Sequence, residues 1–452
     1  MATAGAQAQR PFVSVAPRLG FIGGFDGVRG IGILGVLFNH AYSPLFPSIA
    51  GIIDVFFLMS AFLITSLLLQ EHRDSQTIDM RKFYARRGVR LLPSAYLCIL
   101  AWLVVTILFA RYRLHTLLGE AAAAVTYLYE IFYPVGLGAL DPQAVENLSI
   151  DQFWSLAVEE QFYLLIAVTV LVAIRKRWME QLAVVMVVIA VWIAWQRWNG
   201  IPGPIPIPED PANANPAVRG LSLLWMSRPD SLMWGVALAV LNARIPEPLP
   251  AVWRRWLPRV GIVGLVVSFG TMIIASPYFK ELTGRVGLPF PYVPMAPADL
   301  GDTSGTYWIS FGHTVCALAF MAPLLCMARI KEWYANRALG WKPLRFLGRM
   351  SYTLYVWHTL VYFIVLDLLG FDTVLGEKWR VPILAALAVL ACLPVYYGVE
   401  RRMLKVKLRF ASEKEVLDLN TGKMVPLDQH SAARGTKRPD TGGSERGDGG
   451  AP

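Results

Sequence analysis

Charge is scarce in this chain: Asp, Glu, Lys and Arg together supply 16% of 452 residues, against the roughly 25% that coats an ordinary soluble domain. A soluble globular fold is excluded on that ground. Cysteine is scarcer still. Its four copies, Cys98, Cys316, Cys326 and Cys392, stand alone in apolar stretches, so neither a disulfide framework nor a Cys/His metal site fits and all four read as small core residues. No metal is expected. The first twenty residues lack a basic segment followed by an apolar one, and no cleaved signal peptide is expected. No basic patch is interleaved with surface aromatics, so the net charge of +10 does not point to nucleic acid. No internal repeat is visible.

Apolar residues, at 55%, are what is present. They gather into runs near 28–42, 52–70, 91–110, 154–174, 181–198, 222–241, 257–275, 306–327, 346–367 and 381–399, each close to the twenty or so residues that cross a bilayer. The chain reads as all-α, a polytopic bundle of about ten transmembrane helices in a lipid bilayer. A further stretch, 117–133, carries Glu120 and Glu130. Whether it crosses is decided by loop charge, because lysine and arginine accumulate on the cytoplasmic side. If 117–133 stays out of the count, Arg81 to Arg90, Arg175-Lys-Arg177, Arg244 to Arg259, Arg329 to Arg349 and Arg401 to Lys407 all fall on one side. The expectation is therefore ten spans, both termini cytoplasmic, and 111–153 as an external segment with a re-entrant or interfacial helix. Residues 1–20 form a cytoplasmic segment, 21–410 the membrane domain, and 411–452 a polar, disordered cytoplasmic tail. The external loops 199–220 and 276–305 are rich in proline and glycine and suit either a cover over an outer cavity or plain linkers.

Within the first run, Arg29 and His40 stand eleven residues apart. Eleven steps of about 100° bring both side chains to one helical face, about 16 Å apart along the axis. Ionisable groups inside a membrane are costly and mark function. Further on, Arg86, Arg87 and Arg90 open the third run, with Arg86 and Arg90 on one face; a polyphosphate can dock there, although topology alone explains such arginines. Glu159 and Glu160 lie one to two turns inside the fourth run. In a ten-span topology they reach a depth similar to that of His40, where a carboxylate orients an imidazole for general-base catalysis. Ser227-Arg-Pro-Asp230 places Arg228 and Asp230 at the mouth of the sixth run, as a lock or as site lining. His358, with Tyr355 one turn before it, lies in a late run that is either core or passage wall.

Together these segments resemble the integral-membrane acyltransferase-3 family. Phe25-Asp-Gly-Val-Arg-Gly30 leading to His40 looks like its first span, with Asp26 beside the arginine. Asp54 to Thr65, containing Ser60, resembles the second, and Phe83 to Pro93 the third. Trp154-Ser-Leu-Ala-Val-Glu-Glu-Gln-Phe-Tyr163, Ser351 to His358 and Tyr396 to Arg401 are similar to later motifs. Ala61 departs from the glycine usual after the serine. The secreted hydrolase-like domain that some members carry after the membrane core is not seen.

The resemblance implies transfer of a short acyl group, usually acetyl, from cytoplasmic acyl-coenzyme A to a hydroxyl of an envelope glycan or glycolipid at the plasma membrane. Coenzyme A is then a co-substrate, with no permanently bound cofactor. Arg86, Arg87 and Arg90 would hold its phosphates and Arg29 would line the path of its arm, while His40, oriented by Glu159 or Glu160, would act as base. Ser60, Trp154, Arg228, Asp230, Tyr355 and His358 would line the site. Direct transfer and an acyl-enzyme fit equally, and a separate envelope-biosynthesis partner is compatible with both. A transporter or lipid flippase is the alternative function, and a sensor or scaffold a third.

Overall fold

A computed structural model describes residues 12–41, 51–134, 147–199, 213–274, 312–371 and 376–407, with short pieces between 205 and 210 and between 410 and 426. The proline-rich loop 276–305 and much of 199–220 lie outside the described residues, so their reading as a cover has no structural counterpart here. Among the described residues, ten long helices overlap the ten expected runs. They are α1 (Gly23–Ala41), α2 (Ile52–Ser75), α3 (Met80–Phe109), α6 (Phe153–Lys176), α7 (Met179–Trp198), α9 (Pro229–Arg244), α10 (Ala251–Ile274), α11 (His313–Arg329), α13 (Lys342–Phe363) and α14 (Glu377–Val395). Shorter helices intervene: α4 (Leu114–Val125), α5 (Tyr129–Phe132), α8 (Pro216–Ser222), α12 (Tyr334–Leu339) and α15 (Arg401–Lys407).

Among the described residues, six helices are long and apolar enough to cross a membrane: α2, α3, α6, α7, α10 and a stretch from Trp379 through α14 into α15. The chain is thus a multi-pass membrane protein, and six rather than ten spans meet that standard. The shortfall has a cause. α9 and α11 are short, at 16 and 17 residues, while α1 and α13 carry Asp26, Arg29 and His40, and Lys342, Arg345 and Arg349, so charge lowers their hydropathy.

Several boundaries differ from the sequence reading. Asp79 caps α3 by accepting from the Lys82 amide at 3.0 Å, and the helix then runs thirty residues, so Arg86, Arg87 and Arg90 sit in its early turns rather than at its threshold. The run 117–133 breaks after Val125, and Tyr127 turns the chain with φ 56°. The twelve residues of α4 cover about 18 Å, short of a bilayer core. Glu120 fastens this segment to the head of α6, accepting from Tyr129 Oη at 2.6 Å and from the amides of Ser149 at 2.8 Å and Ile150 at 3.0 Å. The tail expected to be disordered from residue 411 carries a short antiparallel hairpin, Glu415–Leu417 with Met424–Pro426.

Small residues set the helix crossings. A Cβ on Gly348 of α13 would lie 1.8 Å from the Asp26 carbonyl oxygen of α1, and one on Gly30 would lie 2.1 Å from the Leu344 oxygen. Backbones that approach so closely admit only glycine. At the α2–α9 crossing, Gly235 faces Ala61, and a Cβ there would stand 2.7 Å from the Ala61 methyl and 2.4 Å from the Leu58 oxygen. The alanine that departs from the family pattern is therefore accommodated by a glycine across the interface. Gly235→Ala should cost about 1–3 kcal/mol through overpacking. Adding Ala61→Gly should recover part of it, with a coupling of at least about 0.5 kcal/mol in a double-mutant cycle of denaturant unfolding; strict additivity would refute the pairing.

Candidate active site

Two levels of polar side chains are stacked along α1. At the lower level stands Arg29, near Asp26, Arg90, Tyr163 and Glu159. Ser60 of α2 and Tyr163 of α6 both hydrogen-bond Glu159, which also lies in the fields of Arg87 and Arg29. Arg87 stacks on the Tyr163 ring at 4.1 Å, an arrangement that suits a desolvated guanidinium. Glu160 lies near Arg87 and Arg90. Glu400 accepts from the Thr353 hydroxyl and faces Arg90 and Arg29. Three arginines thus meet three glutamates, which offsets the cost of burying either sign alone. Arg90 Nε is buried with no hydrogen-bond partner among the described residues. Asp26 pairs with Arg349 at 3.4 Å.

The upper level holds His40, next to last in α1 and exposed. Its ring meets that of buried His358 at 4.8 Å and 88°. His358 Nδ1 bonds the carbonyls of Tyr355 at 2.8 Å and Leu354 at 3.0 Å. Tyr355 Oη bonds Ser155 Oγ at 2.5 Å and donates to the Gln152 carbonyl at 3.0 Å.

This arrangement corrects two expectations. Glu159 and Glu160 do not stand at the level of His40. α6 begins at Phe153, so they lie about 9 Å down its axis, beside Arg29, and Arg29 is itself about 16 Å below His40. Their partners are arginines. Nor is Arg86 grouped with Arg87 and Arg90: it pairs with Glu71 at 3.0 Å and donates to the Phe410 carbonyl at 3.0 Å, fastening α2 and the start of the tail to α3.

A third cluster lies where α2, α7, α9 and α11 converge. Asp54 takes hydrogen bonds from Ser231 at 2.8 Å and from His313 Nδ1 at 2.7 Å, with Arg228 at 3.5 Å. Asp230 pairs with Arg197 at 2.6 Å, and the same guanidinium donates to Thr314 at 2.6 Å. Arg228 lies over the Trp154 ring at 5.0 Å and has φ 57°, an uncommon backbone for arginine. Sequence reasoning named Arg228, Asp230 and Trp154 but missed Asp54, Arg197, His313 and, at the lower level, Tyr163 and Glu400. Asp54, Tyr163 and Glu400 stand inside motifs already singled out, and that was the available signal.

A family model described as an acyltransferase domain matches residues 22–397. A protein of Bacillus subtilis (strain 168), YrhL, is 28% identical over 351 residues, covering 75% of this chain and 48% of its own. The peptidoglycan O-acetyltransferase OatA of Listeria monocytogenes serovar 1/2a is 25% identical over 350 residues, covering 75% and 49%. The chain spans about half the length of the curated relatives it matches. No solved structure matches it.

Proposed function

The chain belongs to the acyltransferase family whose model covers residues 22–397, and from that premise we propose that it moves an acetyl group from cytoplasmic acetyl-coenzyme A to a hydroxyl of an extracytoplasmic envelope polysaccharide. One observation carries the proposal: Arg29, joined by Arg87 and Arg90 of α3, and the exposed His40 imidazole stand at two levels along α1. The relatives named as peptidoglycan O-acetyltransferases make a cell-wall glycan the favoured acceptor class.

Arg87 and Arg90 receive the donor's phosphates in the inner half of the bundle, with the free Arg90 Nε–H as a ready donor. Arg29 lines the route upward. The glutamates hold the guanidinium planes in place before substrate arrives. At the outer end His40 removes the proton from the acceptor hydroxyl as its oxygen bonds to the thioester carbonyl carbon. The C–S bond then breaks, and the departing thiolate takes that proton back from the imidazolium. No net acid is produced, and His40 is regenerated.

The test uses the full chain in lipid with labelled acetyl-coenzyme A and a polysaccharide extract of the envelope. Label in the glycan, released by mild base as acetate, is expected. Neither coenzyme binding nor label transfer would overturn the reading. Arg90→Ala should weaken coenzyme affinity about tenfold or more, as loss of a charge-assisted hydrogen bond to phosphate implies, and leave acceptor KM unchanged. Arg86→Ala should instead lower stability by about 1 kcal/mol, with little change in coenzyme affinity by titration.

A further inference from the structure

Tyr355, His358 and Tyr362 follow one another at three- and four-residue steps on α13 and so share a face, which packs toward the outer end of α1. The two hydroxyls on this face are engaged elsewhere. Tyr362 donates to the Leu37 carbonyl at 3.0 Å, and Tyr355 bonds Ser155 and the Gln152 carbonyl. Between them His358 is wholly buried, at 0% exposure. Because Nδ1 faces two carbonyl oxygens, that nitrogen carries the proton. Nε2 is therefore a lone pair, and it is buried with no hydrogen-bond partner among the described residues.

A bare lone pair in a core costs free energy that a phenylalanine in the same space would not incur. Packing alone does not account for the imidazole. The neighbour able to use that lone pair is His40, whose ring lies perpendicular to it at 4.8 Å and whose exposure leaves it free to turn about its Cβ–Cγ bond.

We propose that His358 is the positioning residue of the acyl-transfer site, its Nε2 accepting an N–H of His40 and so fixing the tautomer that presents His40's other nitrogen as the base. This rests on the assignment of His40 as base. It gives the imidazole role that an aspartate fills in other hydrolytic and acyl-transfer sites to a second, neutral histidine. A neutral acceptor has a consequence of its own: it orients His40 without placing a negative charge beside the imidazolium, in keeping with an arrangement in which the carboxylates Glu159 and Glu160 belong to the lower level.

Three substitutions separate the reading from a packing role. His358→Phe keeps an aromatic core, and His358→Asn keeps a donor near Nδ1; both remove the lone pair at Nε2. His358→Gln places an amide oxygen near Nε2. Folding of each is followed by detergent unfolding. Phe and Asn should lower kcat by about 10–100-fold, the usual effect of removing an orienting partner, with acceptor KM little changed, and Gln should recover part of that loss. Nitrogen-15 spectra of histidine-labelled protein in lipid give a readout independent of turnover. The His40 signal, identified by its loss in His40→Ala, should report one tautomer in the parent and a mixture in His358→Phe. An unchanged His40 signal, or Gln no better than Phe, would overturn the proposal. Full activity of His40→Ala together with a changed tautomer would instead remove the base assignment and leave the pairing standing.

Discussion

Replacing His40 by alanine is expected to lower acyl transfer by about a hundredfold to ten-thousandfold, the range that a positioned general base contributes, while the protein stays folded in lipid. The asymmetry between activity and stability follows from the side chain's place. His40 is exposed at the end of α1, and the close backbone contacts that hold α1 to α13 run through Gly30 and Gly348, almost three turns or more away. Coenzyme affinity should be nearly unchanged, because the arginines lie about 16 Å lower. Single-turnover kinetics in proteoliposomes, with coenzyme titration alongside, checks both halves. Retained transfer would remove the base role, and a parallel loss of coenzyme binding would mean that the two levels are not separate.

The largest loss of stability should come from Asp54→Ala. Asp54 is wholly buried and answers three groups at once, Ser231, His313 and Arg228. Without it a guanidinium and an imidazole remain in the core with their counter-charge gone. Removing one partner of a buried ion pair costs about 3–5 kcal/mol. Asp54→Asn should recover less than half, since an amide still accepts a hydrogen bond but neutralises nothing. Equilibrium unfolding in mixed micelles measures the difference, and a loss below about 1 kcal/mol for the alanine variant would show that the cluster does not lock the helices.

Much of the architecture was legible before any coordinates. Runs of apolar residues overlap the ten long helices of the described residues, six of which are apolar and long enough to cross a membrane, because a spanning segment must satisfy its backbone internally and clothe itself in hydrocarbon. Helix starts were less legible. The cap at Asp79 moved α3 eleven residues toward the N-terminus of the expected run, since basic residues within a helix read like a loop when hydropathy alone is followed. Arg29 and His40 shared a helix in the reading and share one in the structure. The level of Glu159 was misjudged, because relative depth depends on where each helix begins and how it tilts, and no spacing within one helix encodes that. Arg197 and His313 were invisible for a related reason: their partners, Asp230 and Thr314 for the one and Asp54 for the other, come from helices far apart in sequence, and each residue alone resembles an isolated polar group at a helix end.

The packing of α1 against α13 also bears on how the protein is made. α1 leaves the ribosome well before α13, yet it is not among the described helices apolar enough to cross a membrane by composition. The surface that accepts its backbone, Lys342–Phe363, is synthesised roughly 300 residues later. At about 5–20 residues per second the delay is on the order of 15–60 s, during which Asp26, Arg29 and His40 have no α13 to meet. The contact between α1 and α13 therefore closes late, and truncation before residue 342 should leave α1 open to insertion quality control.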